Sequence, residues 1–159
     1  MTGSPLAAIR SAWGASVGSF GVTAGAGIDL VDISDFAALM TAGGSAFLDN
    51  GWSAQEQHDA EGSAERIAAR WAAKEGVMKA LRCGLGDLDP LDIEILSETD
   101  GSPRVVLHRN ALAAASKLQI GEWHLSLCHE DGWAVAIVIA NRQPLAAEPE
   151  PADEGNRHA

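Results

Sequence analysis

Three separate segments of the chain carry polar side chains whose type and spacing could support chemistry, and the first is centred on Asp29. Its neighbours from Gly27 to Val31 form an apolar segment typical of a strand, so a carboxylate is placed inside apolar surroundings. A buried charge needs a partner, and coordination of a metal ion is one common solution. The alternative is that Asp29 is a turn or capping residue at the end of the strand.

The second segment, RWAAKEGVMKAL from Arg70 to Leu81, reads as a helix with one carboxylate among three cations. At about 100° per residue, Glu75 and Lys79 share one side of that helix, whereas Arg70 and Lys74 lie on another. The i,i+4 pair could be a solvated ion pair worth about 0.3–0.5 kcal/mol. It could also supply a carboxylate ligand beside a phosphate-binding ammonium, because Mg²⁺ is usually held by one or two carboxylates together with substrate phosphates. Spacing leaves both alternatives open.

The third segment is the predicted strand WHLSLCH, from Trp123 to His129. On a strand, His124, Ser126 and Cys128 point to one face, and the residues between them point to the other. This alternation is ordinary for a strand with one solvent-exposed face, in which case His124 is structural. The functional alternative is a polar surface that takes part in binding.

The composition describes an acidic protein of one domain and excludes several classes of function. The 159 residues carry 11 Lys and Arg against 22 Asp and Glu, a formal charge of −11, whereas a nucleic-acid-binding protein needs a basic surface. No apolar segment approaches the roughly 20 residues that span a bilayer, and the N-terminal segment lacks the apolar core of a secretory signal. Cys83 and Cys128 fit neither a disulfide framework nor a zinc site. We therefore expect a soluble, cytoplasmic protein with no nucleic-acid or membrane partner.

The first half of the chain predicts a strand followed by short helices. A strand is expected over 22–33, and Ser34-Asp35 is expected to cap a short helix that ends near Met40. Asn50-Gly51 marks a turn. The spacing Ser53-x-x-Glu56 is that of a capping box and starts another helix.

The second half predicts one long helix and two hairpins. The long helix is expected over 63–82, with Gly84 suited to its termination. Hairpins are expected over 92–107 and 123–140, and a short helix over 110–118 lies between them. Helices mixed with hairpins indicate an α+β fold with antiparallel strands.

This pattern also predicts the organisation of the chain. Residues 22–141 are expected to form the domain, and 1–21 an N-terminal extension. Residues 142–159 are rich in proline and acidic side chains and are expected to be a disordered acidic tail.

Taken together and in this order, the segments resemble the holo-[acyl-carrier-protein] synthase family, the short 4′-phosphopantetheinyl transferases. The resemblance covers roughly residues 22–141 and rests on GIDLVDI from Gly27, RWAAKE from Arg70 with Lys79, DIEI from Asp92, GSP from Gly101 and HLSLCH from His124. It implies the 4′-phosphopantetheinyl transferase fold, in which antiparallel strands pack against one long helix and shorter helices. It also implies an enzyme that transfers the phosphopantetheine arm of coenzyme A to a serine of an apo carrier protein and releases 3′,5′-ADP.

The resemblance assigns the reacting centre to three residues. Asp29 and Glu75 are expected to hold Mg²⁺ against the pyrophosphate, and Lys79 to contact the phosphates. The basic helix is then expected to face phosphates and its glutamate to face the metal. The nucleophilic hydroxyl comes from the partner, and the general base is either Glu75, directly or through a water, or Asp29.

The same resemblance implies a larger binding surface and an oligomer. His124 and Ser126 are expected to belong to the nucleotide-binding surface, Gly84 to retain a glycine of the phosphate-side turn, and Arg70 to approach coenzyme A. Short family members form trimers with each site at a subunit interface, so a homotrimer is expected in which His124 faces the acidic residues of a neighbouring protomer.

Departures from the family pattern bear on the partner. Gly76 stands where a small Ala or Ser is usual. The segment Ser34–Asn50 contains no Lys or Arg, although the matching helix in familiar members is basic and docks acidic carrier proteins. Ala60 to Glu65 likewise lacks the cations expected near the 3′-phosphate, which leaves Arg66 as the nearest candidate. The chain is expected to be an active transferase with an unusual fatty-acid, polyketide or peptide carrier. The alternative is a non-catalytic homologue that binds coenzyme A or a carrier domain.

Overall fold

The computed structural model describes residues 22–143. The predicted extension over 1–21 and the predicted tail from residue 144 onward lie outside the described residues, and both remain predictions. A 3₁₀ turn covers Pro90–Asp92. The helices and strands are, in order, β1 Thr23–Asp32, α1 Ile33–Gly51, α2 Ala54–Ala60, α3 Ala64–Ala80, β2 Ile93–Ser97, β3 Pro103–Leu107, α4 Arg109–Lys117, β4 Ile120–Glu130 and β5 Trp133–Arg142.

Three strands form an antiparallel sheet in the order β1-β5-β4, with α3 packed on one of its faces. The central strand β5 shows why the sheet has two different faces, because its residues alternate between them. Ala136 and Val138 are fully buried, whereas Trp133 and Ile137 are 44% and 47% exposed. We call the face toward α3 the covered face and the opposite one the open face.

The remaining two strands form a separate antiparallel hairpin, in which Ile93 pairs with Leu107 and Ser97 with Pro103. Gly101 has a φ of 85° in the turn between them, a conformation that glycine adopts without strain. The predicted hairpins and the α+β class are confirmed.

An aromatic cluster joins α1, together with its C-cap residue Trp52, to α3. Trp52 is almost fully buried, and its ring lies 5.3 Å from that of Trp71 and 5.7 Å from that of Phe36. Phe47 lies 5.5 Å from Trp52. The capping box predicted at the start of α2 is present, with Ser53 and Glu56 bonding each other's backbone N–H. These contacts fix α1 and α2 against the first turns of α3.

The segment after β1 differs from its prediction. Asp32, rather than Ser34, is the N-cap of α1, and it accepts hydrogen bonds from the N–H groups of Ser34 and Asp35. The helix does not stop near Met40 but continues to Gly51, with a kink at Gly44, whose φ and ψ are 56° and −148°. Gly44 interrupts the helical conformation, in agreement with the weak helix propensity of two consecutive glycines, and the stretch beyond it is held by packing into the aromatic cluster.

Among residues 22–143, no helix has both the length and the apolar character that crossing a bilayer requires.

Candidate active site

The site is built where β1 and α3 approach more closely than side chains would allow. A Cβ atom on Gly27 would lie 1.9 Å from the carbonyl oxygen of Gly76, and one on Gly76 would lie 2.8 Å from Cγ2 of Val138. Both positions therefore require glycine for the observed backbone contact. Gly76, which departs from the family pattern, is explained by this approach despite its cost to the helix.

Asp29 and Lys79 meet across this contact. Lys79 Nζ donates to Asp29 Oδ1 over 2.6 Å and to the carbonyl oxygen of Ile28 over 3.0 Å. Asp29 pairs with Ala136 on β5, so its side chain lies on the covered face, toward α3. Its side chain is only 14% exposed, whereas that of Lys79 is 48% exposed. The ammonium therefore links the acid to a surface that ligands can reach.

Glu75, one turn before Lys79 on α3, is the second acid of the site. Burial raises the pKa of Glu75, and the charge of Asp29 raises it further, whereas Lys79 and the indole of Trp71 oppose the shift. Lys79, which bonds Asp29, follows Glu75 by one turn of the same helix, and this arrangement brings the two carboxylates near each other. The structure thus brings together Asp29, Glu75 and Lys79, all three residues predicted for the reacting centre.

This donor set fits a hard divalent cation. Asp29 and Glu75 supply carboxylate oxygens from facing elements, and a cation between them would relieve their repulsion. Within the described part of the chain, no cluster of three or more His, Cys, Asp or Glu side chains is arranged to hold a metal ion. Two carboxylates suit Mg²⁺, which keeps several positions for water and substrate phosphates, better than they suit Zn²⁺.

The other cations of α3 do not face the same way. Lys74 is fully buried, and its ammonium donates to Glu56 Oε2 over 2.9 Å and to two backbone carbonyl oxygens. Arg70, 7% exposed in its side chain, donates to the carbonyl oxygen of Ile95 and to Ser97 Oγ. The expectation that the basic helix faces phosphates is therefore wrong for Lys74, which lies on the buried side of α3.

His124 and Ser126 lie on the open face of the sheet. They pair with Ile139 and Ile137 on β5, and both are exposed. Asp29 lies on the covered face and on β1, which is at the opposite edge of the same sheet. Within one chain, His124 is therefore separated from the acidic pair by the sheet itself.

Gly84 lies in the turn after α3, five residues beyond Lys79. Its backbone N–H donates to Asp87 Oδ2 over 2.9 Å, and Arg82 just before it has a φ of 60°. The turn thus follows directly from the end of the helix that carries Lys79.

A groove of about 570 Å³ opens at the β4 side of the molecule. One wall is the β2–β3 hairpin from Ile95 to Pro103, and the other comes from the start of α3 with Arg66 and Arg70. Leu127 and His129 of β4 line it as well. Arg66 already pairs with Glu61 over 2.6 Å, in an exposed position. We call this cavity the hairpin groove.

Sequence reasoning missed Glu56 and Asp59 as partners of the α3 cations. The capping-box spacing at Ser53 identified Glu56 as a helix-start residue, and this is confirmed. Its second role, in a fully buried pair with Lys74, leaves no spacing signal, because the two residues are 18 positions apart.

The described domain is similar to proteins of one known family. Residues 25–138 match the model of the 4′-phosphopantetheinyl transferase superfamily. Holo-[acyl-carrier-protein] synthases from Frankia casuarinae and Geobacter sulfurreducens are 42% and 36% identical, over 73% and 74% of this chain and 95% and 97% of theirs. The solved structure of the Helicobacter pylori holo-[acyl-carrier-protein] synthase in complex with coenzyme A aligns with a TM-score of 0.67 and 27% identity, over 73% of this chain and 99% of that one.

These matches cover the described domain almost completely. They confirm both the predicted family and the predicted fold. The chain belongs to the 4′-phosphopantetheinyl transferase superfamily, and it is a transferase of the holo-[acyl-carrier-protein] synthase type.

Proposed function

We propose that this enzyme transfers the 4′-phosphopantetheine arm of coenzyme A to a serine of an apo carrier protein and releases 3′,5′-ADP. The observation that carries the proposal is the convergence of Asp29, Glu75 and Lys79 where β1 contacts α3. Displacement at a pyrophosphate phosphorus mainly needs alignment and neutralisation of charge. A carboxylate pair with an ammonium beside it is suited to that task.

Asp29 and Glu75 would hold Mg²⁺, which supplies positive charge to the pyrophosphate when it is bound. Lys79 then has the role of a compact charge that binds a phosphate oxygen. In the present arrangement it neutralises Asp29, so it is already held beside the position that the phosphates would occupy. The general base in this proposal is Glu75, directly or through a water, or Asp29.

The hairpin groove is the candidate site for the nucleotide of coenzyme A. Its volume suits a nucleotide, and its lining includes apolar side chains and the cations Arg66 and Arg70. Three carboxylates, Asp59, Glu61 and Glu98, line it as well, so the two arginines would have to exchange their acidic neighbours for the phosphates. Contact of coenzyme A with Arg70 is part of this proposal, and so is contact of the phosphates with the turn at Gly84.

The open face of the sheet supports a trimer with shared sites. Ile28 and Leu30 of β1 are 63% and 55% exposed beside Ile137, which makes an apolar surface next to His124 and Ser126. Such surfaces mark protein contacts. Because His124 cannot reach the acidic pair of its own chain, a neighbouring protomer has to bring the two together in this proposal. His124 and Ser126 would then complete the nucleotide surface.

Metal-ligand variants test the proposal. Glu75→Ala and Asp29→Ala should each lower transfer to an apo carrier protein by orders of magnitude at saturating Mg²⁺ while the protein stays folded, because each removes a ligand of the charge-neutralising ion. Glu65→Ala is the matched control, since Glu65 is an exposed carboxylate in the first turn of the same helix. Turnover near that of the wild type in Glu75→Ala would refute the assignment. A wild-type protein that binds coenzyme A without transferring its arm would instead support the non-catalytic alternative.

A further inference from the structure

Among residues 22–143, no strand pairs with the outer edge of β2 in the β2–β3 hairpin. Three residues of β2 direct backbone N–H or carbonyl groups away from β3, toward α2 and α3. They are Ile93, Ile95 and Ser97. Buried backbone groups of this kind require partners, since an unpaired one costs as much as a lost hydrogen bond. Their partners are side chains instead of a neighbouring strand.

Two acids of α2 accept the N–H groups of this edge. Ile95 donates to Glu56 Oε1 over 3.0 Å, and Ser97 donates to Asp59 Oδ2 over 2.9 Å. The helical i,i+3 spacing of the two acids matches the two-residue spacing of the strand closely enough for both bonds to form.

Two cations of α3 bind the carbonyl groups of the same edge. Lys74 Nζ donates to the carbonyl oxygen of Ile93, and Arg70 Nε donates to that of Ile95 over 3.2 Å. The four side chains therefore take the place of a third strand. We call them the side-chain ladder, which consists of Glu56, Asp59, Arg70 and Lys74.

The charges of the ladder neutralise each other. Lys74 pairs with Glu56 over 2.9 Å, and Arg70 lies 3.9 Å from Asp59. Lys74 also donates to the carbonyl oxygen of Pro90, so its three N–H groups are all used. Burial lowers the pKa of Lys74, and the charge of Glu56 opposes that shift. Since both side chains are fully buried, neither can touch a molecule in the groove.

The hairpin held by this ladder is also a wall of the hairpin groove, because Ile95, Ser97 and Pro103 line it. We propose that Lys74 and Glu56 are positioning residues that fix this wall and thereby set the affinity of the groove for the nucleotide of coenzyme A. The identity of the ligand rests on the proposed function. Lys74 points to the inner side of α3, toward the hairpin, whereas Lys79 on the side of Glu75 bonds Asp29 of β1. We therefore expect the ladder to act mainly on substrate affinity.

The test is the double variant Lys74→Met/Glu56→Gln. Lys74→Met alone would leave a buried carboxylate without its cation, and misfolding could hide the effect. The double variant removes both charges and retains an amide oxygen that can accept the Ile95 N–H. We expect its KM for coenzyme A and its Kd for 3′,5′-ADP, measured by calorimetry, to rise roughly tenfold with little change in kcat. The amide proton of Ile95 should exchange faster with solvent in NMR.

Ile120→Ala is the control for general destabilisation. Ile120 is a buried residue at the start of β4, outside the ladder and the groove lining. Ile120→Ala should lower Tm but leave the Kd for 3′,5′-ADP unchanged. Exchange of the Ile95 amide should increase only as much as the loss of global stability accounts for.

Unchanged KM and Kd in the folded double variant would overturn the proposal, and so would a fall in kcat without a change in KM. The outcome is separable from that of the proposed function, because the binding of 3′,5′-ADP and the exchange of the Ile95 amide need no turnover. If the wild-type protein failed to bind 3′,5′-ADP, the ligand assigned to the groove would be wrong, even if the Ile95 amide exchanged faster in the double variant.

Discussion

Replacing Gly27 by alanine is expected to lower both stability and turnover, although the side chain added is a single methyl group. In the structure, the new Cβ would lie 1.9 Å from the carbonyl oxygen of Gly76, whereas ordinary contacts begin at 3.4 Å. The neighbouring atom is backbone, so no rotamer change can relieve the clash. Restoring a normal contact requires β1 and α3 to separate by about 1.5 Å at this point, the difference between those two distances.

The separation has two calculable consequences. Overpacking of a tight contact typically costs about 1–3 kcal/mol, which corresponds to a Tm lowered by roughly 3–15 °C for a domain of this size. The same movement carries Asp29 away from Glu75 and Lys79, and a misplacement of about 1 Å can cost on the order of 100-fold in rate. We therefore expect the loss of turnover to exceed what the loss of stability alone would cause.

The assays are thermal unfolding and carrier-protein transfer at a temperature where the variant is folded. Gly86→Ala is the matched control, because no atom lies within 4 Å of a Cβ at Gly86 and its φ is not in the left-handed region. Gly27→Ala with the Tm and turnover of the wild type would refute the claim that this contact sets the geometry of the site.

Three further predictions follow from the charges of the site and of α1. The pKa of Glu75 is raised in the folded protein, so its carboxylate destabilises the fold above that raised pKa and has no such effect below its usual pKa of 4.5. Glu75→Gln should therefore raise Tm at neutral pH without Mg²⁺, and a Tm gain that persists unchanged in acid would contradict this cause. Mixing Glu75→Ala with His124→Ala chains should restore part of the activity through mixed trimers, and subunits that exchange without any return of activity would exclude shared sites. Because Ser34–Asn50 contains no Lys or Arg to attract an acidic partner, transfer to a near-neutral carrier should be faster than transfer to a strongly acidic one and should respond weakly to salt. Fast transfer to the acidic carrier that slows steeply as salt rises would show docking through other cations.

The elements that local patterns specify are the ones that the sequence predicts well. The glycine turns at Gly101 and Gly132 identify both hairpins, and the capping box at Ser53 identifies the start of α2. The continuation of α1 beyond Met40 was not predictable, because it depends on Phe47 packing against Trp52, the C-cap residue of α1, which in turn contacts Trp71 of α3. Helix propensity is a property of the local sequence and does not reflect such tertiary contacts.

The candidate site shows the same limit. Helical periodicity correctly separates the side of α3 that carries Glu75 and Lys79 from the side that carries Lys74. It cannot tell which side is buried, since lysine is almost always exposed and only the distant Glu56 makes burial of Lys74 possible. The close approach of Gly27 to Gly76 is likewise a contact between two positions 49 residues apart in the printed sequence, and it appears only when strand and helix are packed.

Mass spectrometry of an apo carrier protein incubated with this protein, coenzyme A and Mg²⁺ tests the central claim most directly. The claim predicts that the carrier gains the mass of one phosphopantetheine group on its serine, that 3′,5′-ADP appears in equal amount, and that omission of Mg²⁺ prevents both. Carrier proteins from fatty-acid, polyketide and peptide synthases should be compared, including near-neutral ones. A folded protein that binds coenzyme A but leaves every carrier at its original mass would contradict the claim.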